Sequence, residues 1–159
     1  MIAQMKTLLR VKDLKLEQAE RTMQAKRAQR DAAREEREEA ARIVAESTRT
    51  YAAREDAIYD DIMGREIGQD VVDETRGRVV QLEKSHAALK DELERALHVE
   101  ARLEQELQTA TAAFFAAQRA RDKFTLITDN LQQAANAVVE GREEVEVEDL
   151  FARPRRRAG

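Results

Sequence analysis

Two histidines, His86 and His98, are the side chains best suited to metal binding or proton transfer in this sequence. They are separated by twelve positions on what reads as one continuous helix, so about 18 Å of helix axis lies between them. That distance prevents them from sharing a metal ion or working as an acid–base pair. His86 falls on an apolar seam near Ser47 and Tyr51, where it reads as an interface residue. The carboxylates are many but unfocused. Runs such as Glu35-Glu36-Arg37-Glu38-Glu39 mix signs at helical spacing, as expected of a solvated face laced with local ion pairs. Gly64 and Gly68 follow no strand and open no phosphate loop, so they read as turn residues. There is no serine nucleophile elbow and no cysteine, which removes disulfides and thiolate metal sites. No catalytic, cofactor-binding or metal-binding residue is assigned, and no enzyme activity is expected.

The elements that must carry any function are two long helices. Charged residues make up 38% of the 159 and aromatic residues only 4%, too lopsided for a wide globular core. From Met5 onward, alternating steps of three and four residues pass through Leu9, Lys12, Leu16, Ala19, Met23, Lys26, Arg30, Ala33, Arg37, Ala40, Val44, Ser47, Tyr51, Arg54 and Ile58. This is a heptad seam, thin at its centre. A second and more apolar seam runs from Val72 through Leu82, Leu89, Leu93, Leu103, Leu107, Phe114, Phe124 and Leu131 to Val138. Between them the glycines suit a helix end and a turn, and Asp70 is placed to N-cap the second helix. The expected fold class is all-α, a long two-helix antiparallel coiled-coil hairpin over residues 1–140. Helix 1 spans about 2–63, the turn 64–70 and helix 2 about 71–139, with a charged, flexible tail over 141–159.

Such a hairpin sets Leu9 beside Phe124, Leu16 beside Ala117, Met23 beside Ala110 and Tyr51 beside Leu82. It also sets Glu100 between Arg30 and Arg37, a polar layer expected to fix the register; the opposing reading has the two arginines snorkelling out of a thin seam. Toward the open end, Arg10, Lys12, Lys15, Arg119, Arg121 and Lys123 form a basic band opposed locally by Asp13 and Asp122. A concentrated positive band suits an acidic protein partner. The net charge of −4 and the scarcity of aromatic residues argue against nucleic acid as the main ligand. No apolar run long enough to span a membrane and no secretory leader at Met1–Lys6 are present, so a cytoplasmic protein without direct membrane insertion is expected.

Leu9-Arg10-Val11-Lys12, with Leu14, Leu16-Glu17 and Ala19-Glu20, resembles the start of the YscO-type stalk proteins of bacterial type III secretion, the SctO family, which are related to flagellar FliJ. Ala120-Arg121-Asp122-Lys123-Phe124 is similar to a segment near the end of their second helix. The resemblance implies a non-enzymatic central stalk whose open end inserts into the hexameric secretion ATPase; the basic band, read from the register and its charge, is the contact expected there. It further implies contact with the cytoplasmic ring of the export gate, for which Tyr51 and Tyr59 are the candidates, and with export chaperones. The alternative is a free-standing scaffold or export-chaperone-binding protein holding its partner along Ala110–Ala120, with Phe115 expected in the hairpin packing rather than at such a contact.

Overall fold

The computed structural model describes residues 1–152, and among these there is no strand. Helix α1 spans Ile2–Asp60 and α2 spans Gln69–Ala152; packed against each other, they make an all-α helical hairpin. No proline or glycine interrupts α1, and its alanines, leucines, glutamates, glutamines and arginines are strong helix formers.

The link between the helices covers residues 61–68, earlier than the turn expected at 64–70. The Ile62 N–H donates to the Tyr59 carbonyl at 3.1 Å and Arg65 N–H to the Ile62 carbonyl at 3.4 Å, so the chain tightens and leaves the α-helical path before Gly64. Gly64 has φ +76°, a left-handed conformation that glycine adopts without a Cβ penalty. Asp70 does not cap α2. The Gly68 carbonyl accepts the first bond, from Val72 N–H at 3.3 Å, and Asp70 sits inside the first turn, where its charge favours the positive helix end.

The chain divides into two compact units, residues 23–110 and residues 1–22 with 111–159. The first, the turn unit, carries most of the core: Met23, Ala33, Ile58, Leu103, Leu107 and Ala110 are buried, together with Ser47 and Thr75. The buried Thr75 hydroxyl donates to the Val71 carbonyl at 2.8 Å, so it enters the seam without an unpaired donor. Near Ile58 the spacing differs from expectation, because Glu55 rather than Arg54 turns inward. Arg54 lies outside and donates from Nη2 to the Ser47 carbonyl at 3.1 Å and hydroxyl at 2.8 Å.

In the terminal unit the α1 seam residues Ile2, Met5, Leu9, Lys12, Leu16 and Ala19 are half-buried, as are Phe114, Ala117, Phe124, Leu131 and Ala135 on α2. Thr128 alone is buried among the described residues of this unit, its hydroxyl bonded to the Phe124 carbonyl at 2.8 Å. The helix was expected to stop near Gly141, but α2 continues to Ala152. One glycine in a helix interior costs about 1 kcal/mol, too little to end a helix whose neighbours are mostly good formers. Beyond Ala135 every apolar side chain is exposed, including Val138 and Val145 on the line of the seam. Residues 153–159 of the expected tail lie outside the described part.

Candidate partner-binding surfaces

With no chemistry-bearing cluster expected, the surfaces open to a partner are those where charged or apolar side chains remain free of the seam. Among the described residues no group of three or more His, Cys, Asp or Glu side chains is placed to hold a metal ion.

In the terminal unit the six basic positions separate into two kinds. Arg10 and Lys15 on α1 and Arg119 and Lys123 on α2 are exposed. Lys12 and Arg121 instead occupy the seam. The Lys12 ammonium sits 5.1 Å from the centroid of the Phe124 ring, a cation–π contact that holds its charge over an apolar surface. Arg121 Nε lies 3.0 Å from Asp122 Oδ1, yet its N–H is not aligned for a hydrogen bond and the atom is buried without a partner. The band available to a partner is therefore the exposed four. Sequence reading missed what lies beside them: Leu8, Val11 and Leu14 on α1 and Leu126 on α2 are exposed aliphatic residues. Their signal was present in apolar residues falling off the heptad at three-residue spacing. Phe115, expected to pack within the hairpin, is 48% exposed and rests against the Phe114 ring at 5.4 Å between centroids.

In the turn unit the expected layer of Arg30, Arg37 and Glu100 does not form as a trio. Glu100 accepts from Arg37 Nε at 2.6 Å and Nη2 at 3.3 Å, and Arg34 Nε approaches it at 3.5 Å. The hydrogen bonds from Arg37 hold the Glu100 carboxyl below the usual carboxylate range, against an opposing effect of burial. Arg30 points elsewhere, to Glu104 at 2.9 Å and Asp31 at 2.8 Å, because the next carboxylate along α2 is closer to its guanidinium. Its bond to Glu104 is the main influence raising its pKa above the ordinary value. Lys26 with Glu106 at 3.1 Å adds a further pair between the helices. Arg30 and Glu100 thus belong to neighbouring ion pairs.

Tyr51 and Tyr59, the two candidates for an export-gate contact, lie in different environments. The Tyr51 ring meets His86 at 5.1 Å between centroids and is half-buried; burial, aided by the charges of Glu83 and Glu55, pushes its phenol pKa up. His86 Nδ1 is 2.8 Å from the Ser47 hydroxyl within the seam, and the same hydroxyl accepts from Arg54, which reaches it from outside. Tyr59 is 43% exposed, and near it in sequence Met63 and Ile67 are exposed as well.

A family model described as "Type III secretion protein YscO" matches residues 5–153, nearly the whole chain. The chain belongs to this family. No curated protein and no solved structure matches it. The YscO match runs along both helices, so it takes in the exposed basic four and the ion pairs of the turn unit alike. Membership makes the chain a type III secretion protein, and none of its described helices is long and apolar enough to cross a membrane.

Proposed function

We propose that this protein is a non-enzymatic central stalk of a type III secretion system. It inserts the terminal end of its hairpin into the hexameric secretion ATPase, promotes ATPase activity and links the ATPase to the export gate. The observation that carries this reading is the exposure of Arg10, Lys15, Arg119 and Lys123 on the two helices of one unit, with Leu8, Val11 and Leu14 beside them. Long-range attraction by the four cations favours encounter with acidic loops of a ring, and the aliphatic residues supply short-range burial once contact is made. Family membership supports assigning that ring to the secretion apparatus. The protein then works in the cytoplasm, peripheral to the inner-membrane apparatus, with export chaperones as further partners. The gate contact is assigned to the exposed Tyr59, while Tyr51 is occupied by His86.

The test is charge reversal of Arg10, Lys15, Arg119 and Lys123 together to Glu, assayed with the cognate hexameric ATPase. Stimulation is expected to be lost at moderate salt with helicity retained. Lys12 is left unchanged because replacing it also removes packing against Phe124. Wild-type stimulation by the quadruple variant sinks the proposed contact.

A further inference from the structure

The two flanks of the seam in the turn unit differ. On one flank Arg34 reaches Glu100 and Arg30 reaches Glu104, so ion pairs close the space between the helices. On the other flank a groove of about 720 Å³ lies open between residues 33–43 of α1 and 89–99 of α2. Its floor is made by Ala33, Ala40, Leu89 and Ala96, which brings three alanines at seam positions of both helices into one stretch. Ile43 and Val99 form its walls and remain 42% and 38% exposed. This apolar strip is continuous with the interface between α1 and α2, so a third helix laid along it would extend an existing core.

The rim identifies what kind of helix. Glu35, Glu36, Glu39 and Glu92 border the groove, with Arg42 and Arg95 as its basic members. Arg42 is bonded to Glu39, and Arg95 lies 3.2 Å from Glu92, each pair within one helix. Neither pair bridges the groove, and with Glu39 and Glu92 taken up by the two guanidiniums, Glu35 and Glu36 leave the rim with a net negative charge. A second copy offering this same acidic face would meet like charge. We propose that the groove is the docking site for a basic amphipathic helix of another protein. That helix inserts aliphatic side chains spaced three, four and seven residues apart between Ile43 and Val99 and sets Lys or Arg on its flank against Glu35 and Glu36. The site is separate from the basic residues of the terminal unit and stands or falls without them.

The test uses a synthetic amphipathic peptide of about 18 residues, leucine on one face and lysine on its flanks, against a charge-reversed peptide with glutamate in place of lysine. Fluorescence anisotropy with the full chain is expected to show binding of the lysine peptide alone. Ile43→Glu with Val99→Glu is expected to weaken it about tenfold or more, and Glu35→Lys with Glu36→Lys, which alters exposed side chains only, to weaken it comparably and lower its salt sensitivity. Leu97→Glu, outside the groove, should leave affinity unchanged. Hydrogen exchange should show protection over 33–43 and 89–99. Protection confined to the acidic segment 140–149, unchanged affinity in both groove variants, or equal binding of the glutamate peptide overturns the proposal. Self-association of the free chain that is abolished by the groove variants would assign the groove to a second copy and overturn it as well.

Discussion

The turn unit and the terminal unit use one helical hairpin for different ends. Between Met23 and Ala110 the helices are joined by cross-helix ion pairs, a Ser47–His86 hydrogen bond and the buried Leu103 and Leu107. In the terminal unit the seam is half-buried, basic side chains stand free on both helices, and α2 ends in a stretch whose apolar residues are all exposed. Polar contacts that must be matched in direction specify register, whereas aliphatic contacts tolerate slippage. The turn unit thus joins the helices by matched polar contacts, and the terminal unit leaves four of its cations exposed.

The largest test of this contrast is the same truncation in each unit. Leu107→Ala should cost about 2–4 kcal/mol of unfolding free energy, and Leu16→Ala, at a half-buried position, about 1–2, both read by denaturant titration. Equal costs would break the distinction between a packed and a loose unit.

Glu100→Gln should lower the melting temperature more than Glu104→Gln, because the Glu100 side chain is 18% exposed and the Glu104 side chain 40%. Both carboxylates pair across the helices, so the comparison isolates burial and the second guanidinium. Since hydrogen bonds from Arg37 lower the folded-state pKa of Glu100, its contribution is complete above the ordinary carboxylate value of 4.5 and is lost as pH falls through the depressed one. The gap between wild type and Glu100→Gln should therefore persist at neutral pH and shrink on acidification below that value. A gap that widened instead would exclude the ionised pair as its source.

Gly64→Ala should destabilise by about 1 kcal/mol, because φ +76° penalises any Cβ even though open space surrounds it. Gly77→Ala, in helix with nothing within 4 Å of a new Cβ, should stabilise by about 0.5–1 kcal/mol. Gly141→Ala has the same open surroundings. Lying where α2 makes no seam contacts, it should raise helical content by circular dichroism while leaving the main melting transition in place. A shift matching that of Gly77→Ala would mean that the end of α2 melts with the paired helices.

Periodicity made both seams legible. Every α1 position from Met5 to Tyr51 read from the heptad is inward, as is every α2 position from Val72 to Ala135. Burial of apolar residues repeats with the helix, so a one-dimensional pattern carries it. The absence of any glycine or proline before Gly64 likewise bounded α1, and Leu9–Glu20 with Ala120–Phe124 carried the resemblance to the YscO family. Periodicity could not choose among carboxylates one turn apart. Whether Arg30 meets Glu100 or Glu104 depends on where a long guanidinium side chain finds two oxygens, a matter of ångströms set by packing around it. The same holds for Lys12, whose seam position the heptad gave but whose placement over the Phe124 ring it did not, whereas His86 beside Ser47 and Tyr51 was legible from the seam. Composition suggested that α2 would stop near Gly141, whereas its backbone hydrogen bonds are made within the helix and need no partner across the hairpin. The open groove was invisible in the sequence because an alanine at a seam position reads as apolar whether its neighbours close over it or leave a channel. Side-chain volume opposite each alanine, which only the assembled helices define, decided which flank stayed open.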